Sequence, residues 1–208
     1  MKNLSGSNGE KGFTLIELAI VLVIIGLILG AVLKGKDLIE SAKIKKIYTQ
    51  YVQGWELAVD NYLDRTGQIL GDGKANGGTA NSPDGYFDNV NLGNTSTVQA
   101  RLKAVGLDVP VTNTGNSGTY SIDGKYTRRT VTAYLYYLPS IVDGQNYNTL
   151  YIVNMPTDVA IALDTIIDGS ANDASGLFRR YPDNIDANGV WPDADGTTKV
   201  VNVMYIIK

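Results

Sequence analysis

Glu17 is the only ionisable side chain between Phe13 and Leu33, a run of 21 residues in which Thr14 is the only other polar residue. At 1.5 Å per helical residue the run is roughly 30 Å long, the thickness of a hydrocarbon core. A carboxylate just inside such a segment is costly and marks a functional position. The run is preceded by a short polar leader that ends in Lys11-Gly12. A second group of oxygen-bearing side chains lies near the C-terminus, where eight aspartates fall between Thr157 and Asp195. Asn184-Ile185-Asp186-Ala187-Asn188-Gly189 has oxygen ligands at positions one, three and five and glycine at six, the alternation of a calcium loop. Asn184 stands where that loop usually opens with aspartate, and Asp195 where it usually closes with glutamate. Pro182 and Pro192 bracket the centre and no helix pair flanks it, which excludes an EF-hand. A looser calcium site drawn from Asp183, Asp186, Asn188, Asp193 and Asp195 is one expectation, and a solvated polar loop is the other.

What is missing narrows the chemistry further. The chain has no histidine and no cysteine, so it lacks the commonest general base and any disulfide or thiolate site. There is no Gly-x-Ser-x-Gly elbow and no phosphate-binding glycine loop. Paired aspartates alone are too common to indicate acid–base catalysis, and no enzymatic activity is expected. The thirteen tyrosines are expected to pack on a sheet. Arg128-Arg129 and Arg179-Arg180 read as solvated pairs or as contacts to acidic neighbours.

These residues need elements to position them. The apolar run is expected to continue as helix through a stripe of Tyr48, Tyr51, Val52, Trp55, Ala58, Val59, Tyr62 and Leu63, and to stop at Gly67. Softening of this helix is expected at Gly26, Gly30, Gly35 and Gly54. Residues 67–97 read as loop, followed by a short helix, Val98 to Val105, capped by Ser96-Thr97. Thr119–Ile122 and Lys125–Leu138 read as strands around a two-residue Asp123-Gly124 turn, with Thr149–Asn154 as a third strand. Thr157–Asp168 reads as a helix capped by Thr157 and stopped by Gly169, and Val200–Ile207 as the closing strand. The fold class is therefore α+β: a long N-terminal helix, apolar in its first half, lying on an antiparallel sheet.

Charge is unevenly distributed. Residues 34–46 carry five lysines against Asp37 and Glu40, whereas residues 47–208 hold 11 basic and 17 acidic side chains. A basic collar thus follows the apolar run, and an acidic body follows the collar. An acidic body argues against nucleic acid as a partner.

The stretch Gly12-Phe13-Thr14-Leu15-Ile16-Glu17-Leu18 resembles the N-terminus of type IV prepilins and of type II secretion pseudopilins. The resemblance implies a leader, 1–12, removed by a prepilin peptidase that cuts after Gly12 and methylates the new amine on Phe13. It implies a membrane and filament-core helix half, 13–34, an amphipathic half, 35–66, and a pilin-like α+β body, 67–208. Glu17 lies one helical turn after Phe13 and would meet the N-terminal amine of a neighbouring subunit. The implied partners are further copies of the chain in a helical filament, the membrane before assembly, and an inner-membrane platform with its ATPase. The expected location is the inner membrane as precursor and an extracellular pilus afterwards. The alternatives are a periplasmic pseudopilus, a minor tip subunit or adhesin, and an anchored enzyme or binding module. No cofactor is expected beyond the calcium noted above, which the resemblance to pseudopilins also allows.

Overall fold

The computed structural model describes residues 12–94, 96–140, 142–181, 189–196 and 198–208. Two compact units divide the chain, one ending at Ala42 and the other beginning at Lys43. Helix α1 (Leu15–Ile47) begins in the first and ends in the second. Its first part is apolar all round, and Leu15 to Leu33 are exposed. A helix hydrophobic on every side is built for surroundings other than water.

The helix stays regular through Gly26, Gly30 and Gly35, where softening was expected. The irregularity lies instead at Tyr48–Val52, which form a π turn with the Gln53 N–H bonded to the Tyr48 carbonyl. The local cause is Thr49. Its hydroxyl donates to the carbonyls of Lys45 (3.0 Å) and Lys46 (3.4 Å) and so competes with the helical ladder. Helix α2 (Gln53–Thr66) follows and ends at Gly67, whose left-handed conformation (φ 67°) lets its N–H reach the Leu63 carbonyl.

Among the described residues the sheet has six antiparallel strands: β1 (Val90–Asn91), β2 (Thr119–Asp123), β3 (Arg128–Pro139), β4 (Asn146–Pro156), β5 (Phe178–Arg180) and β6 (Val200–Ile206). The order is β1-β3-β4-β6-β5, with β2 also paired to β3. Tyr51, Val52, Trp55, Ala58, Val59 and Tyr62 share one core with Val131, Ala133, Leu135, Leu150, Ile152 and Val203. Burying each of the larger aliphatic side chains contributes about 1.5–3 kcal/mol. This is the pilin-like α+β arrangement, a long helix laid on an antiparallel sheet, that the sequence predicts.

Two more α-helices lie among the described residues. Helix α3 (Ser96–Ala104) starts slightly before the predicted Val98. Helix α4 (Thr157–Asp168) has the predicted bounds, but Thr157 does not cap it. The Thr157 hydroxyl donates instead to the Thr198 carbonyl at 2.8 Å, tying the helix start to the segment before β6. The β2–β3 connection also differs from the predicted turn. Asp123 pairs with Arg128, so the loop has four residues rather than two. Asp158 holds it from outside, accepting the Lys125 N–H at 2.6 Å.

Candidate functional site

Gly12 and Phe13 are non-helical, and the helix starts two residues beyond the bond between them. That start is fixed by a reciprocal capping box. The Thr14 N–H and hydroxyl both donate to Glu17 Oε2 at 2.8 Å, and the Glu17 N–H donates to the Thr14 hydroxyl at 3.3 Å. The carboxylate also sits in the first turn, where the helix dipole favours negative charge. Phe13 is 81% exposed. Among the described residues nothing lies within 4 Å of where a Cβ on Gly12 would stand. The fold therefore makes no demand for glycine there, and the bond after it lies in accessible, non-helical backbone. Gly12, Phe13 and Glu17 come together as one short accessible stretch; Thr14, which sequence reasoning passed over, is the residue that holds Glu17. The Thr-x-x-Glu spacing was the available signal.

The C-terminal candidates do not assemble in the same way. Asp183, Asp186 and Asn188 lie outside the described residues. Asp193 and Asp195 are exposed neighbours, with the Asp195 N–H at 3.4 Å from Asp193 Oδ1. The Asp193 carboxylate pushes the Asp195 carboxyl above its ordinary range. Two mutually repelling carboxylates are compatible with a cation but are too few to define its shell.

A different acidic cluster was missed. Asp72, Asp84 and Asp88 each bring a carboxylate oxygen within 4.8 Å of the other two. Their oxygens are already used by the backbone. Asp88 Oδ2 accepts the N–H groups of Gly73, Thr79 and Ala80, all at 2.8 Å. Asp72, 2% exposed, accepts those of Asp84 (2.9 Å) and Gly85 (2.8 Å). The cluster organises the loop after α2, around the single 3-10 turn Lys74–Asn76.

The arginine pairs are largely satisfied within the chain. Arg128 binds Asp123, Arg179 reaches Asp143 at 2.9 Å, and Arg180 lies 3.7 Å from Asp173. A cleft of about 580 Å³ between α3 and residues 109–117 is lined by Asn94, Gln99, Lys103, Thr112 and Asn116 among others, with Lys103 the only titratable side chain among the described residues that line it.

Two of the outer strands, β2 and β5, have backbone groups covered. On β2, the Asn113 carboxamide bonds the Ser121 carbonyl (2.7 Å) and N–H (2.8 Å). The Thr119 N–H donates to Asn116 O at 3.0 Å, and the Thr114 hydroxyl donates to the Thr119 carbonyl at 2.9 Å. On β5, the Phe178 N–H donates to Asp168 and the Arg180 N–H to the Asp173 carbonyl, each at 2.9 Å.

With this geometry in place, comparison with known proteins adds one finding. The family model described as the prokaryotic N-terminal methylation motif matches residues 7–33. The chain thus carries the prepilin-type cleavage and methylation signal at the stretch that contains Gly12, Phe13 and Glu17. No curated protein and no solved structure matches the chain.

Proposed function

We propose that the chain is the precursor of a structural subunit in a type IV pilus-like helical filament, and that its activity is assembly rather than catalysis. The supporting observation is the accessible Gly12–Phe13 bond, placed directly before a helix that opens with Glu17 in a capping box and then exposes an unbroken apolar surface to Leu33. In this reading the leader is removed after Gly12 by a prepilin peptidase, which also methylates the Phe13 amine. Helix α1 anchors the precursor in the inner membrane, and the same apolar surface packs against other copies in the filament. An inner-membrane platform and its ATPase drive the transfer, and the assembled filament stands on the cell surface.

The covered sheet edges favour growth through the helix. Strand addition needs free N–H and C=O groups; both are engaged on Thr119 and Ser121 of β2, and the N–H groups of Phe178 and Arg180 are engaged on β5. Cleavage gives Glu17 a positively charged partner, the new amine, so processing and assembly are coupled. Replacement of Glu17 by Ala tests the reading: the leader is still removed, and the yield of sheared fibres falls at least tenfold by roughly the loss of one buried charge pair. A normal fibre yield from that strain contradicts it.

A further inference from the structure

Helix α4 carries two carboxyls one turn apart, Asp164 and Asp168. The Asp164 side chain is completely buried. Its Oδ2 accepts the Asn172 N–H at 2.6 Å and the Trp191 indole N–H at 2.7 Å. Among the described residues its Oδ1 has no hydrogen-bond partner. One turn further on, Asp168 accepts the N–H groups of Leu177 at Oδ1 and Phe178 at Oδ2, both at 2.9 Å. Trp191 is 8% exposed and packs on Phe178, with ring centroids 6.3 Å apart. Two carboxyls on one helix therefore hold Asn172, Leu177, Phe178 and Trp191 together.

Ionising both carboxyls is expensive. Like charges at i and i+4 repel, and a buried carboxylate oxygen without a donor carries an uncompensated desolvation cost. A proton removes both costs. Oδ2 already takes two donors, so the proton belongs on Oδ1.

We infer that Asp164 and Asp168 form a proton-operated clasp: protonated, it holds Asn172 and Trp191 closed on α4, and deprotonated, it loosens the Trp191 end. Burial pushes the Asp164 carboxyl up to about 6, with the Trp191 and Asn172 bonds opposing and Asp168 adding to the rise. Among the described residues the other ionisable groups packed around α4 are otherwise engaged. On β5, Arg179 is bonded to Asp143 and Arg180 lies by Asp173. On β6, Tyr205 donates to Glu56 at 2.8 Å; Tyr48 is the remaining group whose ionisation senses Asp168. At the far end of α4, Asp158 holds the Lys125 N–H. No cation among these faces Asp164. Because the folded value lies above the unfolded one, the contribution is fully present in acid and is lost as pH rises through about 6.

The test uses the full chain in detergent micelles, with both tryptophan indole N–H groups followed by nitrogen-15 NMR from pH 4.5 to 8.5. The Trp191 signal is expected to titrate with a midpoint near 6 and to lose about tenfold or more of its exchange protection by pH 8, after correction for intrinsic exchange. Trp55, whose indole N–H donates to the Ser117 carbonyl, is the internal control and stays flat. Asp164→Asn mimics the protonated state, so its Trp191 signal stays protected and flat across the range. In Asp168→Asn the midpoint moves down. A flat Trp191 signal in the unaltered chain overturns the clasp, as does a titration that survives in Asp164→Asn. Closure at pH 8 by millimolar calcium also overturns it, because the operating species would then be a metal cation.

Discussion

The Tyr51 hydroxyl donates to the Gly118 carbonyl at 2.8 Å across 67 residues of chain, and this bond fastens the helix to the sheet at a point where only glycine fits. A Cβ on Gly118 would collide with the backbone of Leu92 and Gly93. The close approach brings the Gly118 carbonyl within reach of the helix, and beside it Trp55 donates to the Ser117 carbonyl at 2.8 Å. Burial pushes the Tyr51 phenol far up, so it remains a donor throughout the physiological range.

Tyr51→Phe removes one of the two donors to that carbonyl, the Ala133 N–H at 2.9 Å remaining, and is expected to cost about 0.5–1.5 kcal/mol. Gly118→Ala is expected to cost more, because backbone rather than a movable side chain must give way. Urea unfolding of the detergent-solubilised chain measures both, and equal stability of Tyr51→Phe and the unaltered chain would contradict the assignment.

The loop after α2 is expected to depend on Asp88 more than on any apolar contact within it. Asp88→Ala removes the acceptor for three N–H groups at once. Amide exchange at Gly73, Thr79 and Ala80 then accelerates together, while exchange in β3 and β4 is unchanged. Asp88→Asn retains one acceptor oxygen and gives an intermediate effect.

Two carboxyls are expected to give opposite pH dependences. The Arg179 guanidinium beside Asp143 holds its carboxyl well below the usual range, helped by the Gln145 N–H and by Ser140 and Tyr147. That contribution is present above the unfolded value, near 4, and is lost as pH falls through the lower folded value. Asp164 contributes in the reverse sense and is lost as pH rises through about 6. Unfolding midpoints against pH should therefore show an acid limb that shrinks in Asp143→Asn and a decline towards neutrality that disappears in Asp164→Asn.

The sequence made the regular parts of this fold legible because their patterns are local. The stripe from Tyr51 to Tyr62 and the glycines after Thr66 and Asp168 defined two helix ends, and alternation over Val131, Ala133 and Leu135 defined the central strand. What was hidden depends on distant partners. Thr49 unsettles the helix through a hydroxyl that helical periodicity does not register. The Asp123-Gly124 signal for a tight turn was overridden by Asp158, which comes from another element. β5 is too short to show a pattern and is held by Asp168 and β6. At the candidate site Glu17 stood out because apolar surroundings make a carboxylate conspicuous. Thr14 did not, because its role appears only in the geometry of its hydrogen bonds.

Thr14→Ala is expected to remove the capping box and fray the first turn, at a cost of about 1 kcal/mol to the helix start. Cleavage after Gly12 should persist, since the bond already lies in non-helical backbone, and fibre yield should fall less than in Glu17→Ala. Loss of cleavage in Thr14→Ala would mean that the peptidase reads the box itself.

The most direct measurement is the intact mass of the chain in the fibre fraction sheared from cells that produce it natively. The expected result is an abundant species that lacks residues 1–12, begins at Phe13 and carries one added methyl group. A processed chain confined to the cell envelope would move the assignment to a periplasmic pseudopilus or a minor subunit. An unprocessed chain that still begins with its leader would contradict the assignment as a prepilin, because Gly12–Phe13 would then not be a cleavage site.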